Sequence, residues 1–357
     1  MERHFGLPLG VRAADQLQRI PPAAATQSPQ PLPAGSPAEA SPESVGISDS
    51  TPITFLLAGD VGGVVDPAPQ LAVSSAMVQR AAASPTPAFL YIVGDIIYFN
   101  GDESQYGPQF YEPYTHLTLP IVGIPGNHDG DTSDNPTRQP LDAFMANLCA
   151  PAVALPAGSN AEYGRDLQTQ PFCDWTLKLA ELTIIGLYDN VPDGGYLYAS
   201  QIAWLTAQLK AAPVGVPLLL TLHHPPYSID AFHGGSQKLG EILDAAFTAA
   251  GRAPELVISG HVHDYQRFTR SFNSQQITYV VSGNGGYHNL HQFAPDAKPG
   301  LMAAAGVVFA AGDDQNWGFL TLTAGGGEIS VIYTAVTRQG QTTPGADSFT
   351  VPVSPRS

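Results

Sequence analysis

The chain of 357 residues carries 31 Asp and Glu against 15 Lys and Arg, a formal net charge of −16, yet only 13% of its residues are charged and 43% are hydrophobic. That is enough for one large core or two small ones. The acid excess argues against a nucleic-acid polymer as partner and against a polybasic membrane-surface anchor, since both need a positive footprint. An anionic substrate stays open, because bound cations invert the local field.

Residues 1–50 are dominated by Ala, Pro, Ser and Gln with no helix or strand period, which predicts a flexible leader. An extended arm laid over the domain is the alternative. The opening MERHFGLPLGVRAADQ shows no continuous apolar signal region, and no stretch is apolar and long enough to span a bilayer, so stable membrane insertion is not expected. From Thr51 the pattern changes. ITFLLAG (53–59) reads as a buried strand running into Asp60, LAVSSAMVQRAAA (71–83) as a helix, and AFLYIVG (88–94) as a strand running into Asp95. LPIVGIPGNHD (119–129) repeats the theme of an apolar run, a glycine and then polar groups. A short helix is expected over 140–148, a strand over 182–188, a helix over 200–211, and a strand over 216–224 that ends in histidines. A helix near 237–250 leads to the strand ELVISGHVH (255–263). Strands and helices alternate and polar residues gather at strand ends, the pattern of a layered α/β fold whose loops carry a site.

The runs 276–283, 317–324 and 328–336 read as strands without long helices between them, able to complete a second sheet. The glycines at 324–327 fit a hairpin turn better than a phosphate cradle. The expected division is a leader over 1–50, one domain over 51–338 and a loose tail over 339–357. Cys149 and Cys173 are too few for a disulfide scaffold or a zinc knuckle. One bridge and two buried thiols are both open.

Seven potential metal ligands sit at strand ends or just beyond: Asp60, Asp95, Tyr98, Asn127, His223, His261 and His263. Singly each is ordinary, since an Asp after Gly often closes a turn and a strand-end His is often only a satisfied polar group. The ordered set is not. Gly59-Asp60, Gly94-Asp95, Gly126-Asn127-His128, His223 and Gly260-His261-Val262-His263 together resemble the calcineurin-like metallophosphoesterase superfamily. Many members begin with Asp-x-His, but here Gly62 stands at the third position, and Gly94-Asp95-Ile96-Ile97-Tyr98 resembles the purple acid phosphatases instead.

That resemblance implies a layered β-sandwich flanked by helices. It implies Fe3+ among Asp60, Asp95, Tyr98 and His263, and a divalent ion (Fe2+, Zn2+ or Mn2+) among Asp95, Asn127, His223 and His261, with Asp95 bridging. A phenol of ordinary pKa near 10 is a weak ligand at neutral pH, whereas a trivalent cation favours the phenolate. The implied reaction is hydrolysis of a small phosphoric monoester by metal-bound hydroxide. His128 would contact the phosphoryl group or protonate the leaving group, Asp129 would orient the His128 ring, and His233 would approach phosphate from above the metals. The same resemblance favours a periplasmic or secreted location. Competing readings are a metallophosphodiesterase and a metal-stabilised, non-catalytic phosphate-ligand binding protein.

Overall fold

The computed structural model describes residues 28–156 and 163–353. In chain order its strands are β1 (Ala38–Ala40), β2 (Ile53–Ala58), β3 (Leu90–Val93), β4 (Ile121–Ile124), β5 (Trp175–Lys178), β6 (Thr183–Gly186), β7 (Leu218–Thr221), β8 (Leu256–Ser259), β9 (Tyr265–Phe272), β10 (Gln275–Ser282), β11 (Met302–Ala304), β12 (Val307–Asp313), β13 (Trp317–Gly325), β14 (Glu328–Val336) and β15 (Thr342–Pro352). The helices are α1 (Ala68–Ala81), the one-turn α2 (Asn127–Gly130), α3 (Asp142–Leu148), α4 (Ala199–Ala211) and α5 (Gln237–Ala250).

Two sheets stack. A nine-stranded sheet runs β1-β5-β6-β7-β8-β10-β9-β12-β11, and a six-stranded sheet runs β15-β14-β13-β2-β3-β4. β2, β3 and β4 are parallel, as are β6, β7, β8 and β10. These strands are apolar runs because both faces are covered. β2 shows how: Ile53, Phe55 and Leu57 enter the core between the sheets, while Leu56 and Ala58 face the layer that holds α1. That is the strand period of two applied to a strand with two buried faces. Phe55 and Phe89 stack at 4.7 Å within the inner core. On the other side, α4 and α5 cover the nine-stranded sheet. α5 buries Leu239, Leu243, Ala246 and Phe247, one stripe at helical spacing. Ser236 caps its start by accepting from Leu239 N, and Gly251 ends it with φ 63°. The α/β sandwich flanked by helices is thus the observed architecture.

The three late strands divide between the sheets. β10 joins the nine-stranded sheet parallel to β8, whereas β13 and β14 extend the six-stranded sheet from β2. The glycine-rich turn at 324–327 closes the β13–β14 hairpin, with Gly325 opposite Glu328.

Two expectations about the ends are corrected. Residues 342–352, expected to be loose, form β15 along the edge of β14. Asp347 on that strand ties back to the other sheet, accepting from Arg267 Nε at 2.7 Å and from the Tyr265 hydroxyl at 2.7 Å. Arg267 is therefore engaged in a cross-sheet ion pair. The described part of the leader is an arm, not a free segment: β1 pairs with β5, and Gln30 N donates to Asn190 Oδ1 at 2.8 Å. Residues 1–27 of that leader lie outside the described residues. Cys149 and Cys173 are separate thiols. No helix among the described residues is long and apolar enough to cross a membrane.

Candidate metal centre

The seven sequence-predicted ligands converge where the two sheets meet. Asp60 follows β2, Asp95 and Tyr98 follow β3, and Asn127 opens α2 after β4, all from the six-stranded sheet. His223 follows β7, and His261 and His263 follow β8, from the nine-stranded sheet. Three of the seven turn sharply out of their strands: Asp60, Asp95 and His261 have φ of 56°, 52° and 67°. A left-handed backbone costs a non-glycine residue of order 1–3 kcal/mol, and such strain gathers at functional sites. It aims the side chains across the seam instead of along the sheet. The turns interlock, with Asp60 N donating to Gly94 O at 2.9 Å and Gly260 N to His223 O at 2.9 Å. At Gly260 an added Cβ would lie 2.5 Å from Asp60 Oδ2, so this approach requires glycine.

Two adjoining groups result. In the first, Tyr98 Oη is 3.2 Å from Asp60 Oδ1, and His263 Nε2 is 3.4 Å from both Tyr98 Oη and Asp60 Oδ1. In the second, Asn127 Oδ1 lies 3.0 Å from His223 Nε2 and 3.0 Å from His261 Nδ1, and His223 Nε2 is 3.4 Å from Asp95 Oδ2. Asp60, Asp95 and His223 offer ligand atoms that all lie within 4.8 Å of one another. The far sides of the rings are held. His223 Nδ1 faces Val93 O at 2.9 Å, and His263 Nδ1 faces Asn289 O at 3.0 Å. A carbonyl at Nδ1 keeps the proton of a neutral ring there and turns the Nε2 lone pair inward, as metal ligation requires.

Gly62 and Tyr98 explain each other. A Cβ at Gly62 would lie 2.7 Å from the Tyr98 ring and 2.7 Å from Gln109 Oε1. No side chain fits there while the phenol points into the site. Gln109 also fixes Tyr98, accepting from its backbone N at 2.9 Å and donating to its carbonyl at 2.6 Å.

The pocket is electrostatically short of positive charge. Burial and neighbouring Asp95 push the Asp60 carboxyl well above its usual range. Burial would raise Asp95 too, but His223 and His128 outweigh it and hold Asp95 low. Burial disfavours a charged His223, yet Asp95 and Asp60 prevail and push its pKa up to about 10. Burial, then Asp60 and Asp95, drive the Tyr98 phenol well above its ordinary value. His261 and His263 are held well below theirs, by burial first and then by His224 and His291 respectively. Neutral imidazoles beside buried carboxylates form a donor set that fits cations: a bound cation would take the place of the protons that Asp60, His223 and Tyr98 otherwise retain.

The other predicted residues fall differently. His128 is only partly buried, its backbone N donating to Asp95 Oδ1 at 3.0 Å and its Nδ1 facing Phe99 O at 2.5 Å. The expectation that Asp129 orients the His128 ring is corrected. The Asp129 carboxylate turns inward and accepts from the backbone of Ile96 (3.1 Å), Ile97 (3.2 Å) and Gly126 (2.7 Å). Consecutive helical residues diverge by about 100°, and Asp129 therefore braces the turns that carry Asp95 and Asn127. His233 reaches the site: its ring lies 5.2 Å from that of His261 and 4.9 Å from that of His291. His291 is buried in this wall, 4.4 Å from the ring of His263.

Sequence reasoning missed Asp189 and Asp193. Asp189 is buried and accepts from the backbone N of His223 at 3.1 Å and of His224 at 2.8 Å. Asp193 Oδ1 lies 3.2 Å from His261 Nε2. The only cue in the sequence was their place in the polar turn after a buried strand.

A sequence model described as calcineurin-like phosphoesterase matches residues 53–265. Among curated proteins, the chain is 26% identical over 206 residues to a probable cyclic nucleotide phosphodiesterase of Rhodopseudomonas palustris, covering 56% of this chain and 64% of that protein. It is 23% identical over 248 residues to a probable purple acid phosphatase of Arabidopsis thaliana, covering 66% of this chain and 52% of that protein. The chain thus spans less than two thirds of the length of each. Among solved structures, the purple acid phosphatase of yellow lupin (Lupinus luteus) seeds superposes with a TM-score of 0.61 at 18% identity, over 85% of this chain and 54% of that one.

Proposed function

Because the chain belongs to the calcineurin-like phosphoesterase family, we propose that it is a metal-dependent hydrolase of phosphate esters, acting on small phosphoric monoesters through a dinuclear centre of the purple acid phosphatase kind. The observation that carries this reading is Tyr98: its ring packs into the space that Gly62 leaves free, and its hydroxyl lies beside Asp60 and His263. Fe3+ would be held by Asp60, Asp95, Tyr98 and His263. Fe2+, Zn2+ or Mn2+ would be held by Asp95, Asn127, His223 and His261. Phenolate and carboxylate oxygens suit a hard trivalent ion, and the mixed oxygen and imidazole set suits a divalent one. When bound, such a pair supplies Lewis acidity and activates water.

The chain's own residues do the rest. Asp95, held low in pKa, stays ionised and lies between the two donor groups. His128, with Nδ1 committed to the Phe99 carbonyl, presents Nε2 to the ester and delivers a proton to the departing alkoxide. His233, its ring 5.2 Å from that of His261, would approach phosphate on the side of the second donor group. Tyr287, whose ring lies 4.2 Å from Tyr98 and 4.6 Å from His263, closes the side of the Tyr98 group.

One observation favours a second reading: the Rhodopseudomonas palustris relative is described as a probable cyclic nucleotide phosphodiesterase. Parallel assays separate the two. Protein reconstituted with Fe3+ and Zn2+ is given a phosphate monoester and the matching bis-ester. Higher kcat/KM on the monoester is expected. Dominant bis-ester turnover would replace the monoesterase reading, and tight phosphate binding with no turnover between pH 5 and 8 would replace both.

A further inference from the structure

The two imidazoles of the second donor group are served by one loop. β6 ends at Gly186, and the following turn carries Asp189 and Asp193. Asp189 accepts from the backbone of His223 and His224, which fixes where the His223 ring begins. Asp193 meets the His261 ring at Nε2. The loop is shaped for this: Gly195 N donates to Pro192 O at 2.8 Å, Tyr196 N donates to Asp189 O at 2.6 Å, and Gly194 and Gly195 have φ of 83° and 76°.

His261 differs from the other two imidazoles of the centre. His223 and His263 back onto backbone carbonyls through Nδ1 and present Nε2. His261 is reversed, presenting Nδ1 toward Asn127 and backing onto a carboxylate through Nε2. A carboxylate behind a metal-binding imidazole fixes its tautomer and raises its basicity, which a neutral carbonyl does less strongly. The ring has few alternatives, since His224 packs against it at 4.2 Å and His233 at 5.2 Å. Asp193 has 13% of its side chain exposed, so its charge is not dissipated in open solvent.

We infer that Asp193 is a positioning residue for the divalent site alone: through the Nε2 proton of His261 it aims Nδ1 at the divalent ion and strengthens that bond, while the ferric group of Tyr98, Asp60 and His263 is independent of it. The inference rests on the two-metal reading above. The asymmetry also gives the 189–195 loop a function, because one short segment holds both imidazoles of one ion and neither donor particular to the other.

The test uses the full chain loaded with Fe3+ and titrated with Zn2+ in competition with a chromogenic chelator, with the visible iron–phenolate band read in the same sample. Asp193→Ala is expected to weaken zinc binding by about 10- to 100-fold and to leave the iron band unchanged. Asp193→Asn, which keeps an acceptor oxygen but not the charge, is expected to fall between Ala and the native protein. Unchanged zinc affinity in Asp193→Ala would overturn the inference, as would parallel loss of both metals. So would a second zinc equivalent in the native protein that vanishes in the variant, because Asp193, His224 and His261 would then be ligands themselves. A native protein that binds no zinc at the divalent site would instead remove the two-metal reading, and this inference with it.

Discussion

Tyr98 Oη and Asp60 Oδ1 face each other at 3.2 Å, both side chains fully buried. Burial first, and then the charges of Asp60 and Asp95, drive the phenol pKa well above its ordinary value, so without a cation a proton stays between the two oxygens. With a trivalent ion the same geometry becomes two anionic ligands. Protein reconstituted with Fe3+ is therefore expected to show a visible phenolate-to-iron band, and Tyr98→Phe is expected to abolish it and to weaken ferric binding. An identical band in the variant would detach Tyr98 from the iron.

His128 has one ring nitrogen committed and one available. If it protonates the leaving group, its importance scales with the need for that proton. His128→Gln is expected to reduce kcat by about 10²–10⁴-fold on an alkyl phosphate, and far less on p-nitrophenyl phosphate, whose leaving group departs as an anion. Equal losses on both substrates would reassign His128 to phosphoryl contact.

Asp129 answers three backbone N–H groups with one carboxylate in a buried turn. Leaving buried donors unanswered costs about 1–3 kcal/mol each. Asp129→Ala is expected to lose about 3 kcal/mol or more in denaturant unfolding, with metal uptake lowered because Asp95 and Asn127 ride on the same turns. A variant of native stability that loses only kcat would restore a direct role in the reaction.

Asp174 offers a pH test away from the centre. It accepts from Tyr188 N at 2.7 Å and from Gln201 Nε2 at 3.0 Å. Burial nonetheless pushes its pKa up to about 7. Between the unfolded value near 3.9 and that folded value, the folded chain keeps a proton that the unfolded chain has lost. Stability then falls as pH rises across this window, by up to about 1.4 kcal/mol per unit, and levels off above it. Unfolding of metal-free protein from pH 4.5 to 8 should show Asp174→Asn losing less stability than the native chain over the same rise. Parallel profiles would remove Asp174 as the source.

The central strands were legible because sheets covered on both sides demand unbroken apolar runs, and β2, β3, β4, β7 and β8 are such runs. The donor set was legible because each member follows a strand at its carboxyl end, so chain order carried spatial information. β15 was not: Thr342–Pro352 is largely exposed and includes Pro344 and Gly345, and its strand form comes from the edge of β14 and from the reach of Arg267 to Asp347. Asp129 was misread because sequence adjacency to His128 says nothing about direction around a helix turn. Asp193 was silent for another reason. It meets a ring 68 residues away in the chain, and a lone Asp in a Pro-Asp-Gly-Gly turn carries no mark of that errand.

The origin of the donors in two different sheets has a mechanical consequence. The first group draws Asp60 and Tyr98 from one sheet and His263 from the other, and the second draws Asn127 from one and His223 and His261 from the other. Each cation would act as a rivet through two plates. Sliding one plate over the other would stretch both sets of bonds at once. Apolar side chains in the gap, Phe55, Phe89 and Tyr91 among them, would then work as shims that set the bite of that centre.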